Sequence, residues 1–167
     1  MTEAVLFRGP RDGKTWLVGG GDYVTMKTRG SEVDEQFCAF EVATTPGFGP
    51  PLHTHDWAEF FYVLEGEYEF QRVVDGGVET IAGGPGSTLS VPPGVPHTFR
   101  NSTSGTARML IVHAPAGLED FFEAYGVEVA RVGDVPAALE PPDPASMGEI
   151  LPRYGVHVVA ELAAGRP

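Results

Sequence analysis

Turn-forming residues interrupt this chain at short intervals, and they limit what it can become. Glycine and proline (22 and 15) together supply 37 of its 167 residues. They stand between apolar runs as punctuation, a spacing that suits many short strands better than disorder. Strand-forming runs are expected at Thr15–Val18, Tyr23–Lys27, Phe37–Ala43, Ala58–Leu64, Glu67–Val74, Val78–Ala82, Thr88–Val91, Thr98–Asn101 and Arg108–His113. In the third run Cys38, Phe40 and Val42 share one face, opposite Phe37, Ala39 and Glu41. In the fifth, Tyr68, Phe70 and Val74 alternate with Glu67, Glu69 and Gln71, and Asp75-Gly76-Gly77 then turns the chain back as a hairpin. A mainly β sandwich or barrel follows, with antiparallel strands.

Two short helices are expected to close the chain and cover an edge or open end of the barrel. Leu118, Phe121, Phe122 and Tyr125 recur at helical spacing, with Glu119 and Asp120 suited to the N-terminal dipole. Asp143 followed by Pro144 reads as an N-cap and first turn. Pro152 ends or bends that second helix near Leu151. The length suits one domain over residues 1–167: a polar arm at 1–14, a barrel at about 15–113, and a helical extension from about 116. Residues 136–144 read as a surface tether to the last helix.

The charge balance removes several function classes. Eleven Lys and Arg stand against 23 Asp and Glu, for a net charge of −12, and Lys14 and Lys27 are the only lysines. Without a basic patch, no nucleic-acid partner is expected. A polyanionic substrate is disfavoured too, because few cations could hold it. Cys38 is the only cysteine, so no disulfide can form within the chain. No apolar run approaches membrane-spanning length and the first residues carry no apolar signal core, so the expected setting is cytoplasmic, with no membrane partner.

The chemistry concentrates in GPPLHTHDWAEFFYVLEG, residues 49–66. Residues two apart on an extended segment point the same way, so His53, His55, Trp57 and Glu59 share a parity. Imidazole nitrogen and carboxylate oxygen suit a divalent first-row transition ion. There is no His-Glu-x-x-His helix, no Gly-rich phosphate loop and no Gly-x-Ser-x-Gly elbow.

The wider spacing resembles a known family. Gly47, five residues, His53, one, His55, three, Glu59, six and Gly66 form one half. Gly86, five residues, Pro92, one, Gly94, two, His97, three and Asn101 form the other, after an interval of 19 residues (67–85). Together they resemble the two-part signature of the cupin superfamily, whose fold is an antiparallel jelly-roll barrel, the double-stranded β-helix. The resemblance implies that His53, His55, Glu59 and His97 hold one divalent transition-metal ion: iron, manganese, nickel, cobalt, copper or zinc. Pro92-Pro93-Gly94 then aims His97 at the others from the facing sheet. Glu59 serves either as a ligand only or as ligand and general base. Trp57, Phe61 and Phe99 line a substrate cavity or form ordinary core. Asn101 caps or bridges strands, Cys38 is a small core residue, and His113 and His157 are solvent-facing or structurally bonded rather than ligands.

Three stretches, GFGPPLHTHDWAEFFYVLEGEYEF, VPPGVPHTFRN and VHAPAGLEDFFEAYG, are similar to small bacterial single-domain cupins of the quercetin 2,3-dioxygenase type. That similarity implies metal-dependent cleavage of a flavonol by dioxygen, with Glu59 accepting the proton of the substrate's enolic hydroxyl. It also implies a small-molecule substrate and a homodimer. Two alternatives stand beside it: a non-redox metal-dependent isomerase, cyclase or lyase, and a non-catalytic small-molecule binder.

Overall fold

A computed structural model describes residues 5–137 and 143–159. The first four residues of the arm, residues 138–142 of the tether and the tail from 160 lie outside the described residues. In chain order the strands are β1 (Thr15–Val18), β2 (Asp22–Thr28), β3 (Cys38–Thr44), β4 (His53–His55), β5 (Ala58–Glu65), β6 (Tyr68–Val74), β7 (Gly77–Gly83), β8 (Thr88–Val91), β9 (His97–Asn101) and β10 (Ala107–Ala114). Helix α1 (Glu119–Tyr125), β11 (Val127–Val129), α2 (Pro144–Ile150), a 3-10 turn (Leu151–Tyr154) and β12 (Val156–Val158) follow among the described residues.

The strands form two antiparallel sheets. One runs β11-β1-β2-β3-β10-β5-β8 and the other β12-β4-β9-β6-β7. Alternation decides what each strand buries. Ala107, Met109, Ile111 and His113 face inward from β10, and Glu59, Phe61 and Val63 from β5. The core between the sheets holds Phe40, Phe61, Val63, Tyr68, Phe70, Phe99, Met109 and Ile111. Phe60, Tyr62 and Leu64 take the opposite parity and are each more than a third exposed, so they do not pack as a second core face. Val74, expected inward, is also exposed, because β6 runs past the end of the core there.

The hairpin at Asp75-Gly76 forms as expected. Both residues take positive φ (50° and 78°) and Val74 pairs with Gly77, the twist that matches a tight β-hairpin. Asn101 does bridge: its amide donates to Thr44 O and Gly105 O at 2.8 and 2.7 Å, and its Oδ1 accepts from Thr103 N at 2.8 Å. Cys38 is fully buried.

The extension past residue 116 is helical only in part. It supplies one edge strand to each sheet: β11 pairs with β1, and β12 pairs with β4. Phe121 and Phe122 of α1 are buried in the core, and Met147, Ile150, Leu151 and Tyr154 pack against it from the last segment. Asp143 caps α2 as expected, accepting from Ser146 N at 3.2 Å. That helix ends at Ile150, and the 3-10 turn with Pro152 follows.

Candidate metal centre

Two short strands and one long one build the site. The segment from His53 to Leu64 is not a single strand. It bends at Asp56 and Trp57, so β4 lies in the five-stranded sheet and β5 in the seven-stranded sheet. His53 and His55 therefore come from one sheet and Glu59 from the other. His97 was expected to reach in from across the barrel. It sits instead beside His53 in the same sheet, as its direct cross-strand neighbour. The carboxylate is the ligand that crosses. The turn before β9 is tied to the site directly, since Gly94 N donates to His55 O at 2.7 Å. Gly94 takes a φ of 76°, which a glycine adopts without strain.

The side chains of His53, His55, Glu59 and His97 come together, each offering one ligand atom, all within 4.8 Å of one another. Every imidazole is anchored through Nδ1 to a backbone carbonyl: His53 to Pro51 O at 2.8 Å, His55 to Trp57 O at 2.9 Å and His97 to Val95 O at 2.9 Å. A carbonyl only accepts, so these contacts place a proton on Nδ1 and turn Nε2 inward as the atom that can ligate. Glu59 Oε2 lies 2.9 Å from His55 Nε2 and 2.7 Å from His97 Nε2. Lone pairs on a neutral imidazole and a carboxylate repel at that distance unless a proton or cation lies between them. The donor set thus fits a divalent cation chemically, with three nitrogens and one oxygen.

Burial sharpens the electrostatics. His55, Glu59 and His97 are buried, and His53 is half-buried. Burial, with His97 close by, pushes His53 down to about 4, so it stays neutral and able to ligate well below pH 7. Burial alone would raise the Glu59 carboxyl. The His113 charge and its hydrogen bond outweigh it and hold Glu59 well below the usual carboxylate range.

His113 is the residue that sequence reasoning set aside. It is structurally bonded rather than solvent-facing, only 1% exposed. Its Nε2 lies 2.8 Å from Glu59 Oε1 and its Nδ1 3.0 Å from Gly117 O. Both partners accept, so both ring nitrogens donate. Burial would lower its pKa, but the Glu59 charge and hydrogen bonds lift it to about 10. The signal that could have found it is the β10 alternation: Ala107, Met109 and Ile111 point inward, and His113 continues their parity. His157 is exposed on β12, opposite Thr54.

Of the aromatic candidates, Trp57 stacks on His55 with ring centroids 4.6 Å apart, and its buried Nε1 has no hydrogen-bond partner among the described residues. Phe61 meets His97 edge-on at 6.1 Å. Phe99 packs on Phe61 and Tyr68 within the core.

A family model described as a cupin domain matches residues 40–113. Among solved structures, the polyketide cyclase RemF from Streptomyces resistomycificus is 27% identical, over 66% of this chain and 80% of its own, with a TM-score of 0.55. An RmlC-like cupin from Shewanella frigidimarina is 23% identical, over 72% of this chain and 99% of its own, at 0.56. A predicted oxalate decarboxylase from Thermotoga maritima is 18% identical, over 66% and 99%, at 0.58. The last two likenesses speak for the fold alone. No curated protein matches the chain. The motif-bearing segment thus matches a cupin domain, and the two-sheet barrel around it is shared with these structures.

Proposed function

We propose that this chain is a metal-dependent enzyme that cleaves a small enolisable aromatic substrate, of flavonol type, with dioxygen. The observation that carries a metal-dependent reaction is the inward presentation of three imidazole Nε2 atoms around Glu59 Oε2, each ring anchored by its own carbonyl. His53, His55, Glu59 and His97 would hold the ion, and a mixed nitrogen and oxygen set accommodates iron, manganese, nickel, cobalt, copper or zinc. Once bound, such an ion supplies Lewis acidity toward an enolic oxygen and, if redox-active, a route to dioxygen.

The remaining work belongs to the chain. Glu59 Oε2 is the basic atom at the centre and can accept a proton from a substrate hydroxyl. Trp57 and Phe61 wall the imidazoles with apolar surface and keep water away. His53 is the least buried of the four, so a substrate reaches the centre from its side.

The test is oxygen uptake when a flavonol is added to protein loaded separately with each of these metals. Uptake with at least one metal is expected. No uptake with any, across a polyphenol panel, counts against the oxidative reading. A non-redox cyclase is the second reading, favoured by the 27% identity to a polyketide cyclase. Metal-dependent turnover of an enolisable polyphenol under strict anaerobiosis would select it. For assembly we propose a homodimer, because the outer face of the seven-stranded sheet leaves Phe60, Tyr62 and Leu64 more than a third exposed side by side on β5.

A further inference from the structure

We infer that His113 is a positioning residue: it reserves Oε1 of Glu59, so that Oε2 alone is left to face the three imidazole Nε2 atoms. The inference rests on the metal-centre reading and adds a residue outside the motif to it.

Three observations carry it. First, the contact is built into the sheet. His113 on β10 and Glu59 on β5 are direct partners in the antiparallel ladder. Their side chains share the inner face, and Nε2 meets Oε1 at 2.8 Å. Second, His113 cannot drift. Its Nδ1 is held by Gly117 O at 3.0 Å, Phe40 packs edge-on against the ring at 4.9 Å and Trp57 lies 5.2 Å away. Third, the two carboxylate oxygens have separate partners. Oε1 meets His113, while Oε2 meets His55 and His97.

A glutamate side chain has three rotatable bonds, and its carboxylate can offer one oxygen or two. Left free in a cavity lined by imidazoles, it would sample both arrangements. A buried donor on Oε1 removes the second, because a charged oxygen left buried and unpaired loses its solvation without compensation. Outer partners of this kind commonly change metal affinity by about 10–100-fold when removed.

The experiment uses the full chain loaded with zinc or cobalt(II). In long-range proton–nitrogen correlation spectra of the zinc-loaded protein, three imidazoles should show Nε2 on the metal. His113 should keep a proton on Nε2. By competition titration, His53→Ala and His97→Ala should lose more than about 100-fold in zinc affinity, and His113→Leu about 10–100-fold. His113→Gln, which keeps a donor for Oε1, should stay within a few-fold of the unaltered chain. The visible spectrum of the cobalt-loaded protein should change in His113→Leu and be restored in His113→Gln.

Four zinc-bound imidazoles would overturn the inference, since His113 would then be a ligand. Unchanged affinity and cobalt spectrum in His113→Leu would overturn it too. If His113→Leu does not fold, the spectra of the unaltered chain still decide. Failure of the unaltered chain to bind zinc or cobalt would instead sink the metal centre itself, a result distinct from both.

Discussion

Burial and charge pull histidines and acids in opposite directions in this barrel, and which wins depends on the neighbour. His53 and His113 are the same residue type a few ångströms from the same carboxylate. His53 is pushed down to about 4 because burial dominates and His97 adds to it. His113 is lifted to about 10 because Glu59 Oε1 is its own hydrogen-bond partner. Asp22, at the start of β2, shows burial without rescue. Its Oδ1 is shut off from solvent and has no hydrogen-bond partner among the described residues, and burial raises the carboxyl to about 6 against the lowering effect of the Thr44 hydroxyl. The folded chain thus holds a proton on Asp22 that the unfolded chain releases near 3.8. Its contribution is fully present below that value and lost as pH rises through 6. Asp22→Asn cannot ionise and escapes this loss. Its stability relative to the unaltered chain should therefore rise by up to about 3 kcal/mol between pH 4 and 7. Denaturant unfolding of both proteins at the two pH values checks this, and a difference that stays flat refutes it.

The last element does more than cap the barrel. β12 lies along the ligand-bearing β4, with Val156 opposite His55 and Val158 opposite His53. Its entry is set by Gly155, which has a φ of 74° and comes so close to Trp57 that a methyl group there would stand 3.0 Å from the indole. Tyr154 meets Phe121 and Tyr125 on the preceding turn. Gly155→Ala should weaken this attachment by about 1–2 kcal/mol through left-handed strain. Amide exchange across Val156–Val158 should then quicken about tenfold, with β5 and β10 unaffected. Equal rates in both proteins would show that the turn does not hold the strand. Sequence patterning reached most elements to within a residue or two, because alternation over five or more positions is a local signal. It missed β4, β11 and β12 as strands because three residues carry too little pattern. Their strand character comes from the sheet edge they meet.

At the scale of the whole molecule, the seven-stranded sheet carries an exposed apolar stripe on its outer face, Phe60, Tyr62 and Leu64. On the β10 side the cross-strand neighbours of the exposed β5 stripe are apolar, Val112 opposite Phe60 and Leu110 opposite Tyr62, while on the β8 side they are Ser90 and Thr88. Light scattering on the purified chain should give twice the 17.8 kDa monomer mass. Tyr62→Lys should shift it toward one copy, and a monomer at all concentrations would refute the pairing. Among the described residues, no helix is long and apolar enough to cross a membrane.

The sequence by itself determined the antiparallel strand pattern and the closing helices, and its likeness to a family signature pointed to the set His53, His55, Glu59 and His97. Alternation and turn chemistry are local, and they survive any arrangement of the sheets. Only the tertiary structure decided that His97 lies beside His53, that Glu59 crosses from the other sheet, and that His113 meets the second carboxylate oxygen. Those facts depend on a corner at Asp56 and Trp57 and on the register of strands 54 residues apart. Register is chosen by what the two sheets bury together, and no local stretch of sequence contains it.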